Sequence, residues 1–102
     1  MGEAYEKLVR DLIPEKLDAK GVTYEKRIAT PEEYRLELIK KLGEESEEFT
    51  EAGNVEELAD VLEVIEALKM LPEYADVEKI RLEIKEKRGG FEKRLILKGE
   101  KD

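Results

Sequence analysis

Between Lys41 and Glu66 the chain reads KLGEESEEFTEAGNVEELADVLEVIE, and its acids do not all fall where solvated acids belong. Tyr34, Leu38, Leu42, Phe49 and Ala52 recur at helical spacing and predict one apolar stripe. Glu45 falls inside that stripe and Glu48 at its margin. Val61, Val64, Leu68 and Leu71 predict a second stripe, with Glu57 four residues before Val61 and Asp60 four before Val64. Glu44, Glu47, Glu51, Glu56, Glu63 and Glu66 point to the polar sides. Four carboxylates are thus aimed inward, and an unpaired ion facing a core costs far more than helix burial returns. Whatever fold this stretch adopts must supply those acids with a partner.

Gly53-Asn54 separates the two periodic runs and is short enough to predict an antiparallel helix pair. At about 1.5 Å per residue, Glu48 and Glu45 lie roughly 8 and 12 Å before the turn, Glu57 and Asp60 roughly 5 and 9 Å past it. The four acids fall within one or two helical turns of each other. Like charges that close call for a cation, and carboxylate oxygens suit a hard divalent ion, Mg²⁺ first, with Mn²⁺ or Ca²⁺ as alternatives. Two plainer readings compete. A chain this rich in Glu produces paired acids by chance, and Glu57, third in a helix capped by Asn54, also reads as an acid favoured by the helix dipole.

Composition narrows the chemistry. There is no Cys, which excludes a disulfide framework and a thiolate metal site. There is no His, which removes the usual zinc ligand and general base. Catalysis would have to use carboxylates, Lys, Arg, Tyr or an activated water. A net charge of −8 argues against a nucleic-acid polymer as partner, but not against a single nucleotide carried with metal ions. Charged residues make up 45% of the chain, Gln and Trp are absent and Asn54 is the sole Asn, a composition resembling hyperthermophile proteins. No apolar run approaches ~20 residues and no signal peptide is read at the start, so a cytoplasmic location is expected. Glu6 breaks the myristoylation pattern that Met1-Gly2 would open.

The 102 residues allow one domain, with a core of about 5–97. The fold class expected is mainly α: an antiparallel helix bundle with a two-stranded β element at most. Pro14 to Lys20 reads as a short helix stopped by Gly21. Thr30-Pro31-Glu32-Glu33 reads as an N-cap, a first-turn Pro and a capping box, opening a helix to about Ala52. The second long helix spans Val55 to Leu71 and ends at Pro72. A further one, capped by Asp76, spans Val77 to Lys87 before Gly89-Gly90. Val22–Ala29 and Phe91–Leu97 alternate enough to pair as a ribbon, and residues 98–102 are expected to be disordered. Gly43, inside a helix, reads either as a close packing point or as room for a ligand beside Glu44 and Glu45. The run KLVRD reads as packing of Leu8 and Val9 with its charges solvated. So small a core is marginal alone. The second stripe on the Val55 helix (Leu58, Leu62, Ile65) predicts a homodimer or dimer of dimers.

Glu44-Glu45-Ser46-Glu47-Glu48 followed by Glu57-Leu58-Ala59-Asp60 resembles the paired-acid signature of the all-α nucleoside triphosphate pyrophosphohydrolases. That superfamily includes the MazG proteins, the dimeric dUTPases and phosphoribosyl-ATP pyrophosphohydrolase. The opening KLVRDLIPE and the later RGGFEKRLIL resemble small single-domain MazG-like proteins, so the likeness runs from about Tyr5 to Leu97. Relatives often carry Lys where Leu12 stands, so any role of that Lys is absent or moved here. The resemblance implies Mg²⁺-dependent cleavage between the α and β phosphates, giving pyrophosphate and a nucleoside monophosphate, in a nucleotide house-cleaning role. Glu45, Glu48, Glu57 and Asp60 would hold the metal. Glu44, or one of those four, would orient or deprotonate the attacking water. Lys41, Lys85 and Arg88 would meet substrate phosphates, although Lys41 also reads as a helical ion pair with Glu44 and Glu45, and Arg88 as a helix-end cation. Phosphoribosyl-ATP is the rival substrate. A non-catalytic dimeric module that binds a nucleotide or metal is the rival function.

Overall fold

A computed structural model describes residues 5–101, which form four α-helices and one 3₁₀ turn. The helices are α1 (Ile13–Ala19), α2 (Pro31–Ala52), α3 (Val55–Lys69) and α4 (Val77–Arg88), and the 3₁₀ turn spans Pro72–Tyr74. The class is mainly helical, as the periodicity predicts. Met1-Gly2 and Asp102 lie outside the described residues, and 98–101 carry no secondary structure.

The two long helices start and stop on local chemistry. Thr30 Oγ1 accepts from the Glu33 N–H at 3.2 Å, while the Glu33 carboxylate is held by Arg27. Gly53, at φ +65°, ends α2 in the left-handed conformation that a side chain would resist, its N–H bonding Phe49 O at 2.7 Å. Asn54 Oδ1 then accepts from the Glu57 N–H at 2.9 Å and opens α3. A two-residue connection thus satisfies both helix ends. Helix α3 stops at Lys69, two residues before the boundary expected. The cause is Pro72, which drives Leu71 to ψ 140°.

Two expectations are corrected. No strand exists among the described residues, so the ribbon of Val22–Ala29 with Phe91–Leu97 is absent. The second run is broken by a turn, with Arg94 at φ +56° and its N–H on Phe91 O at 3.0 Å. The first is tied to helices through side chains: Tyr24 donates to Asp18 at 2.7 Å, and Arg27 to Glu33 and Glu6. Asp76 precedes α4 but makes no side-chain cap. Its backbone (φ −92°, ψ 8°) continues the preceding turn and lacks the extended geometry a capping side chain needs.

Helices α2 and α3 make the extensive contact of the fold, and the 3₁₀ turn touches α3. The inner faces are those the stripes predict. Leu38 and Val64 are buried, while Tyr34, Leu42, Phe49, Val61, Leu68 and Leu71 are half-buried. Ala52, at the helix end, is exposed. Leu38 and Val64 are the only buried hydrophobic residues described. The radius of gyration is 18.3 Å, against about 13 Å for a compact domain of this length.

Candidate metal centre

The helix pair turns the predicted acids toward one another. One carboxylate oxygen each from Glu45, Glu57 and Asp60 lies within 4.8 Å of the others, and all three residues are half-buried. Glu48, read as the fourth inward acid, is instead exposed and stands outside the three-acid group, because its place at the stripe margin turns it to solvent; its charge and carboxyl group still act on both Glu45 and Glu57. Glu44, Glu47, Glu51, Glu56, Glu63 and Glu66 are all exposed.

Crowding shows in the protonation of the inner acids. Burial pushes Glu45 above the ordinary carboxylate value, and the charge of Glu48, a carboxyl–carboxyl hydrogen bond to it and the charge of Asp60 push the same way. Lys41 opposes them, its Nζ 3.9 Å from Glu45 and 4.0 Å from Glu44. Glu57 is raised first by burial, then by the charges of Glu48 and Asp60, a hydrogen bond that forms with Glu48 on protonation, and the charge of Glu56. With the acids ionised, Glu57 Oε2 is shielded from solvent and meets no hydrogen-bond donor among the described residues. Glu57 is therefore more than an N-terminal acid. Asn54 caps the helix through the Glu57 backbone, and the Glu57 side chain turns inward.

Glu45, Glu57 and Asp60 could hold a metal ion. A hard divalent ion takes oxygen ligands, and one shielded oxygen here has no other partner. Any proton held by Glu45 or Glu57 would pass to solvent as the ion binds, because metal binding requires ionised carboxylates.

Arg10 was missed by sequence reasoning. Its Nη2 donates to Asp60 Oδ1 at 2.7 Å, fifty positions away in sequence. Leu8 and Val9 are half-buried, as the packing reading of KLVRD expects, but the Arg10 charge is engaged and not merely solvated. The available signal was its place in the opening run that resembles the MazG-like flank. Leu12 is exposed and precedes α1 without a capping bond.

The other expected substrate residues divide. Lys41 stands beside the acids, as either reading of it requires. Lys85 pairs with Glu92 at 3.8 Å, and no ion pair or hydrogen bond among the described residues links Lys85 or Arg88 to the four acids. A Cβ built at Gly43 would meet nothing within 4 Å, so close helix packing does not explain the glycine and open space lies beside Glu44 and Glu45. An open cleft of about 610 Å³, a size typical of small-molecule sites, lies between the opening segment and residues 23–29. No described helix is long and apolar enough to cross a membrane.

No protein-family model matches the chain, and neither a curated protein nor a solved structure matches it significantly.

Proposed function

We propose that the chain is a Mg²⁺- or Mn²⁺-dependent nucleoside triphosphate pyrophosphohydrolase. The observation that carries this reading is the convergence of Glu45, Glu57 and Asp60, flanked by Glu48, at a point where Glu57 Oε2 lacks a donor. The four acids would hold the ion. When bound, it would neutralise phosphate charge and make a water more acidic. Glu44, exposed and adjacent in sequence, would orient or deprotonate the attacking water. Lys41 would meet a phosphate, exchanging its weak contacts at 3.9–4.0 Å for a stronger anion. Open space at Gly43 supports a ligand on that side of α2.

The same reading makes α2 and α3 an antiparallel pair within a bundle completed by a second copy. Leu58, Leu62 and Ile65 on α3 and Val77, Ile80 and Ile84 on α4 are exposed in the single chain. Residues 79–98 hold eight Lys and Arg against three Glu, whereas 32–66 hold thirteen acids against three Lys and Arg. That complementarity favours the basic end of one copy meeting the acidic pair of another, which would bring Lys85 and Arg88 to substrate.

The test is a panel of nucleoside triphosphates, with phosphoribosyl-ATP included, scored for pyrophosphate release with Mg²⁺, Mn²⁺ or EDTA. Divalent-dependent release of pyrophosphate from at least one compound is the expected result. Tight nucleotide or metal binding without turnover would replace the enzyme with the non-catalytic module.

A further inference from the structure

Residues 5–12 have no regular secondary structure, yet they are held at both ends and in the middle. Glu6 accepts from Arg27 at 2.9 Å, and Arg27 also grips Glu33 at the start of α2. Lys7 and Leu8 lie against α2 beside Glu37, Lys41 and Glu44. Arg10 crosses to α3 and bonds Asp60 at 2.7 Å. The segment thus straps the two helices together beside the converging acids.

Asp60 has two claims on it. It accepts from the Arg10 guanidinium, and it belongs to the three acids whose oxygens approach within 4.8 Å. A divalent ion among those acids would place a second positive charge beside Arg10 and draw on the same carboxylate, so the two cations oppose each other. A phosphate reverses that balance. Its oxygens match the planar fork of a guanidinium, and its charge is attracted to both cations. The Arg10 side chain is 57% exposed, so it can leave its present pose without opening a buried core.

We infer that Arg10 is a transferable positioning residue: it neutralises Asp60 in the ion-free protein, yields that carboxylate to a divalent ion, and passes to the phosphates of a ligand bound through the ion. This rests on the reading of the four acids as a metal site. It gives the strap a task, since moving one guanidinium couples occupancy of the acids to the hold of residues 5–12 on α3. It also predicts effects of opposite sign, which loss of a merely structural contact would not produce.

The experiment compares the full chain with Arg10→Gln and Arg10→Lys by titration calorimetry. Mn²⁺ is titrated alone, then a nucleoside triphosphate analogue with a non-hydrolysable α,β bridge is titrated at saturating Mn²⁺. Removing an exposed competitor should tighten Mn²⁺ binding about one-and-a-half- to fivefold in Arg10→Gln. Losing a charged hydrogen bond should weaken the analogue about tenfold or more. Arg10→Lys, which keeps the charge without the fork, should fall between parent and Arg10→Gln in both. Unchanged Mn²⁺ affinity in Arg10→Gln, with the parent binding normally, overturns the role of Arg10 and leaves the metal site standing. Weakening of both ligands together also overturns it. A parent that binds no Mn²⁺ removes the metal site, and this inference with it.

Discussion

Replacing Asp60 with Asn separates the structural use of that acid from its use as a ligand. In the ion-free protein two effects oppose each other. The variant loses the ion pair to Arg10, whose partners are 57% and 41% exposed, worth about 0.2–1 kcal/mol at such a surface. It also loses repulsion from both Glu45 and Glu57, about 0.9 kcal/mol each for carboxylates at the 4.8 Å limit in water-like surroundings. The relief outweighs the loss by about 0.7–1.5 kcal/mol, so the ion-free melting temperature should rise by about 3–12 °C. The metal-bound protein should respond differently. Loss of one charged ligand should weaken Mn²⁺ at least as much as loss of a ligand's supporting hydrogen bond does, taken here as about 100-fold. At an ion concentration 100 times the parent's Kd, binding stabilises the parent by about 2.7 kcal/mol and the variant by about 0.4 kcal/mol. Thermal melts with and without Mn²⁺ should then differ by roughly 11–22 °C for the parent and roughly 2–3 °C for Asp60→Asn. Glu63→Gln, on the exposed side of the same helix, should keep the parent's shift. An Asp60→Asn protein that retains the full Mn²⁺ shift would refute the assignment of these acids as ligands. So would an equal loss in Glu63→Gln, which would reduce the effect to net charge.

Three further outcomes follow from the structure. Glu45 and Glu57 are raised above the ordinary value of 4.5, so the folded chain binds more protons than the unfolded one just above that pH. Urea melts of the ion-free protein should therefore show stability falling as pH rises through that window, while Mn²⁺ affinity rises; below 4.5 the slope should reverse as Glu32, Glu33 and Glu78, held low by Arg35, Arg27 and Arg81, gain protons. Gly43→Ala meets no atom within 4 Å and should gain about 1 kcal/mol of stability from helix propensity, and pyrophosphate release that drops while the melting temperature climbs would mark that space as occupied by substrate. Light scattering at micromolar concentration should give a mass of two or four chains, shifted toward one chain in Leu62→Glu; a parent mass of one chain would remove the assembly proposed here.

What could be read from the sequence was what local spacing determines. Three- and four-residue periodicity separated Glu45, Glu48, Glu57 and Asp60 from six outward acids, and the structure makes the same division except at Glu48, whose place at the stripe margin leaves it exposed. Thr30, Gly53 and Asn54 announced their helix ends because capping involves atoms only three or four residues apart. Alternation in Phe91–Leu97 was a weaker guide. It meets one requirement of a strand but says nothing about a pairing partner, and the turn at Arg94 intervenes. Asp76 had the right side chain for a cap on the wrong backbone, a distinction that depends on the turn before it. Arg10 was hidden for the opposite reason. Its neighbours say nothing of Asp60, which becomes adjacent only when two helices and a strap are assembled.

Among the described residues Leu38 and Val64 are the only buried hydrophobics, and under the pairing of copies proposed above this has a consequence for how the chain would live in solution. A chain that completes its interior with a second copy has no fixed folding free energy of its own. Each tenfold dilution removes about 1.4 kcal/mol from the paired state, against the roughly 5–15 kcal/mol that holds an ordinary domain together. Its melting temperature becomes a function of how much of it is present. Expression level then acts as a structural variable: a scarce chain would spend part of its time as loosely joined helices exposed to proteases, and an abundant one would protect itself.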